Sequence, residues 1–467
     1  MRRLSLILPT LATLSGCVGF SADGGTDSVR ARALSEERAE PAKINSEAAE
    51  TSAAERSRAL LRRPLSADAA VRVAFLRNKG LQAAYNDLGI SEAKYVEASL
   101  PPNPSFSLLD IRNAVALDIE RRLAADVLAL ATLPARQEIA AADWESAKLA
   151  AAAATLRLAS DVRRQYGRAV AARASARALV EARASAETTA DLARKLGETG
   201  ALNKLDQSRE FAFYADLSAE LAKARTQEKV EKERLTRLLG LWGRDVDFVL
   251  PANLPPLPRG IGGLALLERT AMTRRIDIAM ARGELDRVAK QYSLTSATRY
   301  VNALELSAAE NVTLSGPDKE RLDGLEVKLE IPLFDWGAAR AREAEETYMR
   351  AANRLAEKAV NGRSEVREAY LAYRGAFDVA RLYESKVLPL RQHIQDESLL
   401  HYNGMLTDLF SLLQDARARL ASQAAALDAR RDFWLAETDL HAALNGSGMG
   451  AGDAKPSAVI ANAAVAP

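Results

Sequence analysis

Few side chains in this sequence are of a type that does covalent or metal chemistry. One thiol is present, Cys17, with three imidazoles, His393, His401 and His441. A single thiol excludes an intrachain disulfide and a cysteine metal site. The histidines are too scattered for a ligand set and read as surface or helix-packing residues. No phosphate-cradling glycine loop and no nucleophile–base arrangement occurs. The many Glu and Asp side chains fall on helical stretches, where they are solvated faces rather than acid–base pairs. An enzyme is not expected, and neither is a cofactor or a metal site.

The chemistry left to Cys17 is acylation. Arg2 and Arg3 precede LSLILPTLATLSG, an apolar run too short to span a bilayer but suited to a secretory signal. Leu14-Ser15-Gly16-Cys17 resembles the bacterial lipobox, in which cleavage before the cysteine leaves it to receive covalent lipid such as palmitate. Residues 1–16 are then a signal peptide. Each buried acyl methylene contributes roughly 0.8 kcal/mol to membrane attachment. Val18 follows the cysteine, and by resemblance to lipoproteins that favours the outer membrane over retention at the inner one. Residues 17–63 are small, polar and charged, without sustained periodicity, and read as a lipid-anchored, flexible or surface-draped tether. The Gly/Ala-rich tail, 447–467, reads as disordered.

A second kind of chemistry is physical rather than covalent. In LEVKLEIPLFDWG (325–337), Leu325, Val327, Leu329 and Ile331 alternate with Glu326, Lys328 and Glu330. This is a strand with one greasy and one charged face. Val115, Leu117 and Ile119 alternate with Ala116, Asp118 and Glu120, and Leu304 and Leu306 with Glu305 and Ser307; Ser105–Ile111 is a less regular candidate. Two hairpins, four strands in all, are expected.

Almost everything around these strands reads as helix. The 467 residues are 48% hydrophobic but only 5% aromatic, with much alanine, which favours helices and fills little core volume. Net charge is +2, from 64 basic and 62 acidic side chains, so no general field for nucleic acid is implied. Asp161-Val162-Arg163 with Tyr166 matches Glu365-Val366-Arg367 with Tyr370 at a shift of 204 residues; Gly200, Leu202 and Leu205 match Gly404, Leu406 and Leu409, and Arg136 matches Arg340. A shared shift argues for duplication. The Pro-rich stretch 251–258 joins the repeats, 64–250 and 251–446. In each, a helix (about 66–99, then about 264–295) precedes the two strands, and two long helices joined by a tight glycine turn follow.

The first long helix opens at Pro134 and runs to about Leu196, roughly 95 Å at 1.5 Å per residue. Its counterpart runs from about Ala338 to His401, and Pro389 must kink or interrupt it. Val366, Tyr370, Tyr373, Phe377, Ala380 and Val387 recur at coiled-coil steps, with Glu384 as a break. Leu406, Leu409, Leu413, Ala416, Leu420, Leu427 and Trp434 do the same, with Gln423 and Arg430 as breaks. Ordinary bundle packing accounts for the heptads equally well; the helix length weighs against it. The turns are Gly200-Ala201-Leu202-Asn203 and Gly404-Met405-Leu406-Thr407, where glycine ends one helix and Asn203 or Thr407 can cap the next. Each apex leucine either folds back on its hairpin or forms a docking tip.

A membrane barrel explains the two-faced strands, with lipid outside and water inside. Asp118, Glu120, Glu326, Lys328 and Glu330 would line the lumen, and Phe334 and Trp336 would sit at the interface. Four strands cannot close, and an open edge in lipid leaves backbone groups unsatisfied. Three chains would supply twelve. Over about residues 64–446 the chain resembles the TolC family of outer-membrane efflux proteins. The resemblance rests on the lipobox, the duplicated halves, Leu100-Pro-Pro-Asn-Pro104, Ile331-Pro-Leu-Phe-Asp-Trp-Gly337, Tyr402-Asn-Gly-Met-Leu406 and Val387-Leu-Pro389.

The resemblance implies a mainly α protein with a small membrane β portion. It would be a homotrimer with a shared twelve-stranded barrel in the outer membrane of a Gram-negative bacterium and a long α-helical coiled-coil tunnel in the periplasm. It implies a passive exit duct for efflux or type I secretion of small molecules or metal ions, completed by an inner-membrane pump and a periplasmic adaptor. The adaptor would touch Gly200, Ala201, Leu202, Gly404, Met405 and Leu406. Many members carry acidic residues after the second tip, where this chain has Phe410 and Leu413; Asp408 and Asp415 lie at other helical angles. A hydrophobic constriction around Phe410 is expected instead. Asp206 is either a lumen acid or a solvated carboxylate at a helix start. A lipid-anchored periplasmic coiled-coil scaffold or adaptor without a pore is the alternative, but it leaves the two-faced strands without a role.

Overall fold

The computed structural model describes residues 19–448, apart from 113–115, 201 and 316. Cys17, the signal segment, Val115, Ala201 and residues 449–467 therefore lie outside the described residues. The chain forms two compact units, each assembled from separated stretches. The first holds residues up to Val29 with Ala83–Ala152 and Asp277–Val360; the second holds Arg30–Gln82, Ala153–Ile276 and the chain from Asn361. Both repeats thus contribute to both units, and the junction at 251 is no boundary between them.

The order of elements follows the sequence reading closely. Helices α1 (Thr26–Glu37), α2 (Glu47–Leu61), α3 (Ala67–Arg77) and α4 (Lys79–Ala98) lead into strands β1 (Ser105–Arg112) and β2 (Leu117–Asp126). A short α5 (Val127–Ala131), the 66-residue α6 (Leu133–Glu198) and α7 (Lys204–Leu239) complete the first repeat. The second repeats the plan: α8 (Leu264–Arg274), α9 (Ile276–Ala297), β3 (Ala303–Ser315), β4 (Asp318–Glu330), α10 (Ala338–Leu382), α11 (Leu388–Asn403) and α12 (Leu409–Asn445). Between α10 and α11 one π turn, Tyr383–Val387, absorbs Pro389, which has no amide hydrogen to give. Among the described residues no helix is long and apolar enough to cross a membrane.

Two expectations need correction. Within the stretch read as a flexible or surface-draped tether without sustained periodicity, residues 26–37 and 47–61 are the helices α1 and α2, the latter capped by Ser46, whose side chain accepts from Ala49 N. In the second unit Ala33, Ala53 and Ser57 are buried, and Gln82 bonds Ile44 N and Ala42 O, fixing the link between the helices. Small side chains at four-residue intervals make a shallow seat, not the strong apolar stripe that a periodicity search detects. At the other end, Ser447 is buried and its hydroxyl lies 3.4 Å from that of Ser160, while Gly448 O accepts from Arg164 at 3.0 Å. The ordered chain therefore passes Gly446, where the tail was expected to begin.

The duplicated Val and Tyr turn out to be core. Val162 and Val366 are fully buried, and Tyr166 and Tyr370 each keep 7% exposure. Val366 and Tyr370 pack with Ala271, Leu440 and Ala443. Burial pushes the Tyr166 hydroxyl up to about 12. The heptad breaks Glu384 and Arg430 are each other's partners, joined by a hydrogen bond of 2.8 Å from Arg430 Nε. Their alignment explains why two charged residues interrupt facing apolar seams.

Candidate channel sheet and docking tips

The four strands, all in the first unit, form one antiparallel sheet in the order β1-β2-β3-β4. The two hairpins join through β2 and β3, and the β2–β3 register opposes Ile119 to Val312 and Leu123 to Ala308. Residues opposite one another share a face, so the register assigns every side chain. One face carries Phe106, Leu108, Leu123, Leu304, Leu306, Leu325, Val327 and Leu329. Every residue of β4 is exposed, Leu325 by 72% and Val327 by 63%, so within one chain no described residue covers its share of this face.

The other face carries all five expected lumen residues: Asp118, Glu120, Glu326, Lys328 and Glu330. Glu305, opposite Lys328, and Arg122 share it. Arg122 reaches over Ala309 to Glu326 at 2.5 Å and also holds Glu120 at 3.0 Å. Small residues at Ala309 and Gly324 leave the room for this crossing. The sequence reading missed Arg122 because Arg121 and Arg122 break the alternation of β2. Among the described residues β1 pairs only with β2 and β4 only with β3, so both outer edges are bare. A bare edge strand in lipid is not a stable end state.

Where β4 returns to helix, the segment 331–337 forms a fixed turn. Asp335 accepts from Gly337 N at 3.0 Å and Ala339 N at 3.2 Å, and these bonds hold its carboxyl below the usual range. Trp336 and Gly337 take left-handed φ of 53° and 71°. A Cβ on Gly337 would stand 2.3 Å from Arg299 O, so glycine is required there. The turn leaves Phe334 fully exposed and Trp336 55% exposed, an arrangement suited to a membrane interface.

The helical tips belong to the second unit. At the first, Gly200 takes φ 77°, Leu202 N bonds back to Leu196 O, and Asn203 caps α7 by accepting from Asp206 N at 2.9 Å. Leu202 is half-buried. At the second, Gly404 has φ −85° and Met405 takes the left-handed position at 59°. Met405 is 93% and Leu406 76% exposed. The cap is Asp408, accepting from Ser411 N at 2.7 Å, and not the expected Thr407.

The constriction candidates divide. Asp206 pairs with Arg209 at 2.9 Å, and the Arg209 guanidinium lies 5.5 Å from the Phe410 ring centre, linking the two hairpins. Phe410 is 44% exposed and Leu413 half-buried. Asp408 is occupied as a helix cap, and the backbone N–H of Ser411 holds its carboxyl low. Below the tips, Arg417 pairs with buried Glu210 at 2.9 Å and lies 4.2 Å from the Phe213 ring.

No family model and no curated protein matches the chain by sequence. Solved structures do match. A structure of CusC, described in terms of folding and transmembrane channel formation, aligns at 17% identity over 81% of this chain and 92% of that one, with a TM-score of 0.68. The outer membrane protein VceC of Vibrio cholerae aligns at 16% over 81% and 96%, with 0.68. The open state of the Neisseria gonorrhoeae MtrE outer membrane channel aligns at 16% over 81% and 88%, with 0.68. The chain has the fold of these outer-membrane channels.

Proposed function

We propose that the protein is the outer-membrane exit duct of a tripartite efflux or type I secretion system. The observation that carries this reading is the sheet: one apolar face, one charged face and two bare edges, on a fold shared with outer-membrane channels. Three copies would close twelve strands, bury the edges and place Glu326, Lys328 and Glu330 in a water-filled lumen. Leu325, Val327 and Leu329 would face lipid.

The remaining assignments rest on the sequence resemblance and on the exposure of the second tip. Covalent lipid on Cys17 anchors the chain beside its barrel. The helical hairpins extend into the periplasm, where an adaptor grips the exposed tip at Met405 and Leu406, with Gly404, Gly200, Ala201 and Leu202 around it. An inner-membrane pump supplies the driving force, so the duct needs no catalytic group. Phe410, with Arg209 against its ring and Leu413 a turn further on, narrows the tunnel mouth.

The test is conductance. Purified protein added to a planar bilayer should give stepwise ion-conducting events, and Phe410→Ala should enlarge the step. Membrane-associated protein that never conducts would contradict the duct and favour an anchored scaffold. An unchanged step in Phe410→Ala would remove the constriction alone.

A further inference from the structure

We propose that the turn end of the sheet is a seat for phosphorylated lipid headgroups, built around Arg121 and Arg321. On the apolar face, rows from the helix end toward the turns begin Leu304–Leu329, then Ala125–Leu306–Val327, then Phe106–Leu123–Ala308–Leu325. The next row is Leu108–Arg121–Glu310–Asp323, followed by Asp110–Ile119–Val312–Arg321 and Arg112–Leu117–Leu314–Lys319. The three rows nearest the helices carry no charge; the three nearest the turns carry seven.

The basic charges are sorted by face, while the acidic ones occupy both, Asp110, Glu310 and Asp323 lying among the basic groups. In the turn half, Arg112, Arg121, Lys319 and Arg321 all lie on the apolar face. The opposite face of that half carries Asp118, Glu120, Asp318 and Glu320, and no basic residue among its described strand positions. A merely solvated rim would not require this segregation.

The basic groups are also held in place. Glu310 pairs with Arg121 at 3.1 Å and with Arg321 at 2.9 Å, so one carboxylate fixes two guanidinium groups. Arg321 also reaches Asp323 at 3.2 Å, through the same Nε. Arg112 is held by both oxygens of Asp110, at 2.9 and 3.0 Å. Arg121 and Arg321 remain 49% and 61% exposed. A guanidinium has five donors, and a fork of two suits a phosphate.

Charge on the lipid face of a barrel is costly at the midplane and nearly free at the interface. The Arg121 row therefore belongs at headgroup level. This inference rests on the channel reading, which turns the hairpin ends outward, into a leaflet built of phosphorylated glycolipid. The carboxylates position the arginines, and the arginines grip phosphate.

The test uses the full-length trimer in detergent, with bound lipid counted by native mass spectrometry. The probes are diphosphorylated glycolipid of the outer leaflet, the same lipid with its phosphates removed, and inorganic phosphate. The first should bind, the second much more weakly, and the third should not compete at equal concentration. Arg121→Gln with Arg321→Gln should weaken binding roughly thirtyfold, at the usual contribution of each basic residue near an anionic surface. Lys223→Gln with Lys229→Gln, on the exposed surface of α7, should change nothing.

If the glutamine pair blocks trimer assembly, the Arg→Lys pair serves. It keeps the charge, loses the fork and should bind several-fold more weakly. Undiminished binding in either assembled variant, equal binding of the dephosphorylated lipid, or full competition by inorganic phosphate would overturn the seat. A wild-type protein that is monomeric and does not conduct would instead sink the channel reading beneath it.

Discussion

The two helical tips descend from one duplicated turn, yet they present themselves differently. At a shift of 204 residues Gly200 corresponds to Gly404 and Asn203 to Thr407. The structure slides the second turn by one residue. Its left-handed residue is Met405, not Gly404, and its cap is Asp408, not Thr407. The consequence is exposure. The first tip half-buries Leu202, whereas the second leaves Met405 and Leu406 bare. Holding a methionine at positive φ costs about 1 kcal/mol that glycine would avoid, and backbone strain of this kind collects at functional sites. Under the proposed duct reading, the second tip would be the main docking surface and the first its support.

The largest expected effect lies at that surface. Leu406→Glu should leave trimer assembly intact and weaken adaptor binding at least about tenfold, the loss typical of an anchor residue. Leu202→Glu should weaken it less. Equal effects in a pull-down with purified adaptor would break the asymmetry. Next comes the backbone. Gly200→Ala should destabilise the first tip by about 1 kcal/mol, while Gly404→Ala, at φ −85° and with no neighbour closer than 3.4 Å, should be nearly neutral. Met405→Gly should stabilise its turn and still lose adaptor affinity. Amide hydrogen exchange at both tips would read these changes.

Smaller effects separate the caps. Asn203→Ala should cost about 1 kcal/mol, Asp408→Ala should fray the start of α12, and Thr407→Ala should do neither. The caps also differ in acid. The Asp408 carboxyl is held low by the backbone N–H of Ser411. Its contribution is complete above the ordinary aspartate value near ~3.9 and is lost as pH falls through the depressed folded value. Asn203 does not titrate. Acidification should therefore lower the protection of the Ser411 amide, measured against its intrinsic exchange rate at each pH, before that of Asp206; the reverse order would contradict the cap assignment.

Much of this architecture was legible because it is periodic. The four strands, the helix order and the interruption at Pro389 follow from alternation, heptads and a missing amide hydrogen. The faces of β4 could be read residue by residue because apolar and charged side chains alternate strictly along Leu325–Ile331. What escaped the reading depends on partners distant in sequence. Arg122 and Glu326 occupy equivalent positions, 204 residues apart, with opposite charge, and they bond to each other. Neither residue alone announces that. Glu384 and Arg430 looked like two defects and are one ion pair. Helices α1 and α2 escaped because their buried side chains are few and mostly small, among them Ala33, Ala53 and Ser57, although Ser46 stands as the cap of α2.

The central claim is that four open strands become a barrel only in company. The direct measurement is the molar mass of protein extracted from outer membranes in detergent, by light scattering with the detergent contribution subtracted. The account predicts about three times the 50.5 kDa chain mass. A monomer would leave β1 and β4 without partners in lipid, and would contradict it.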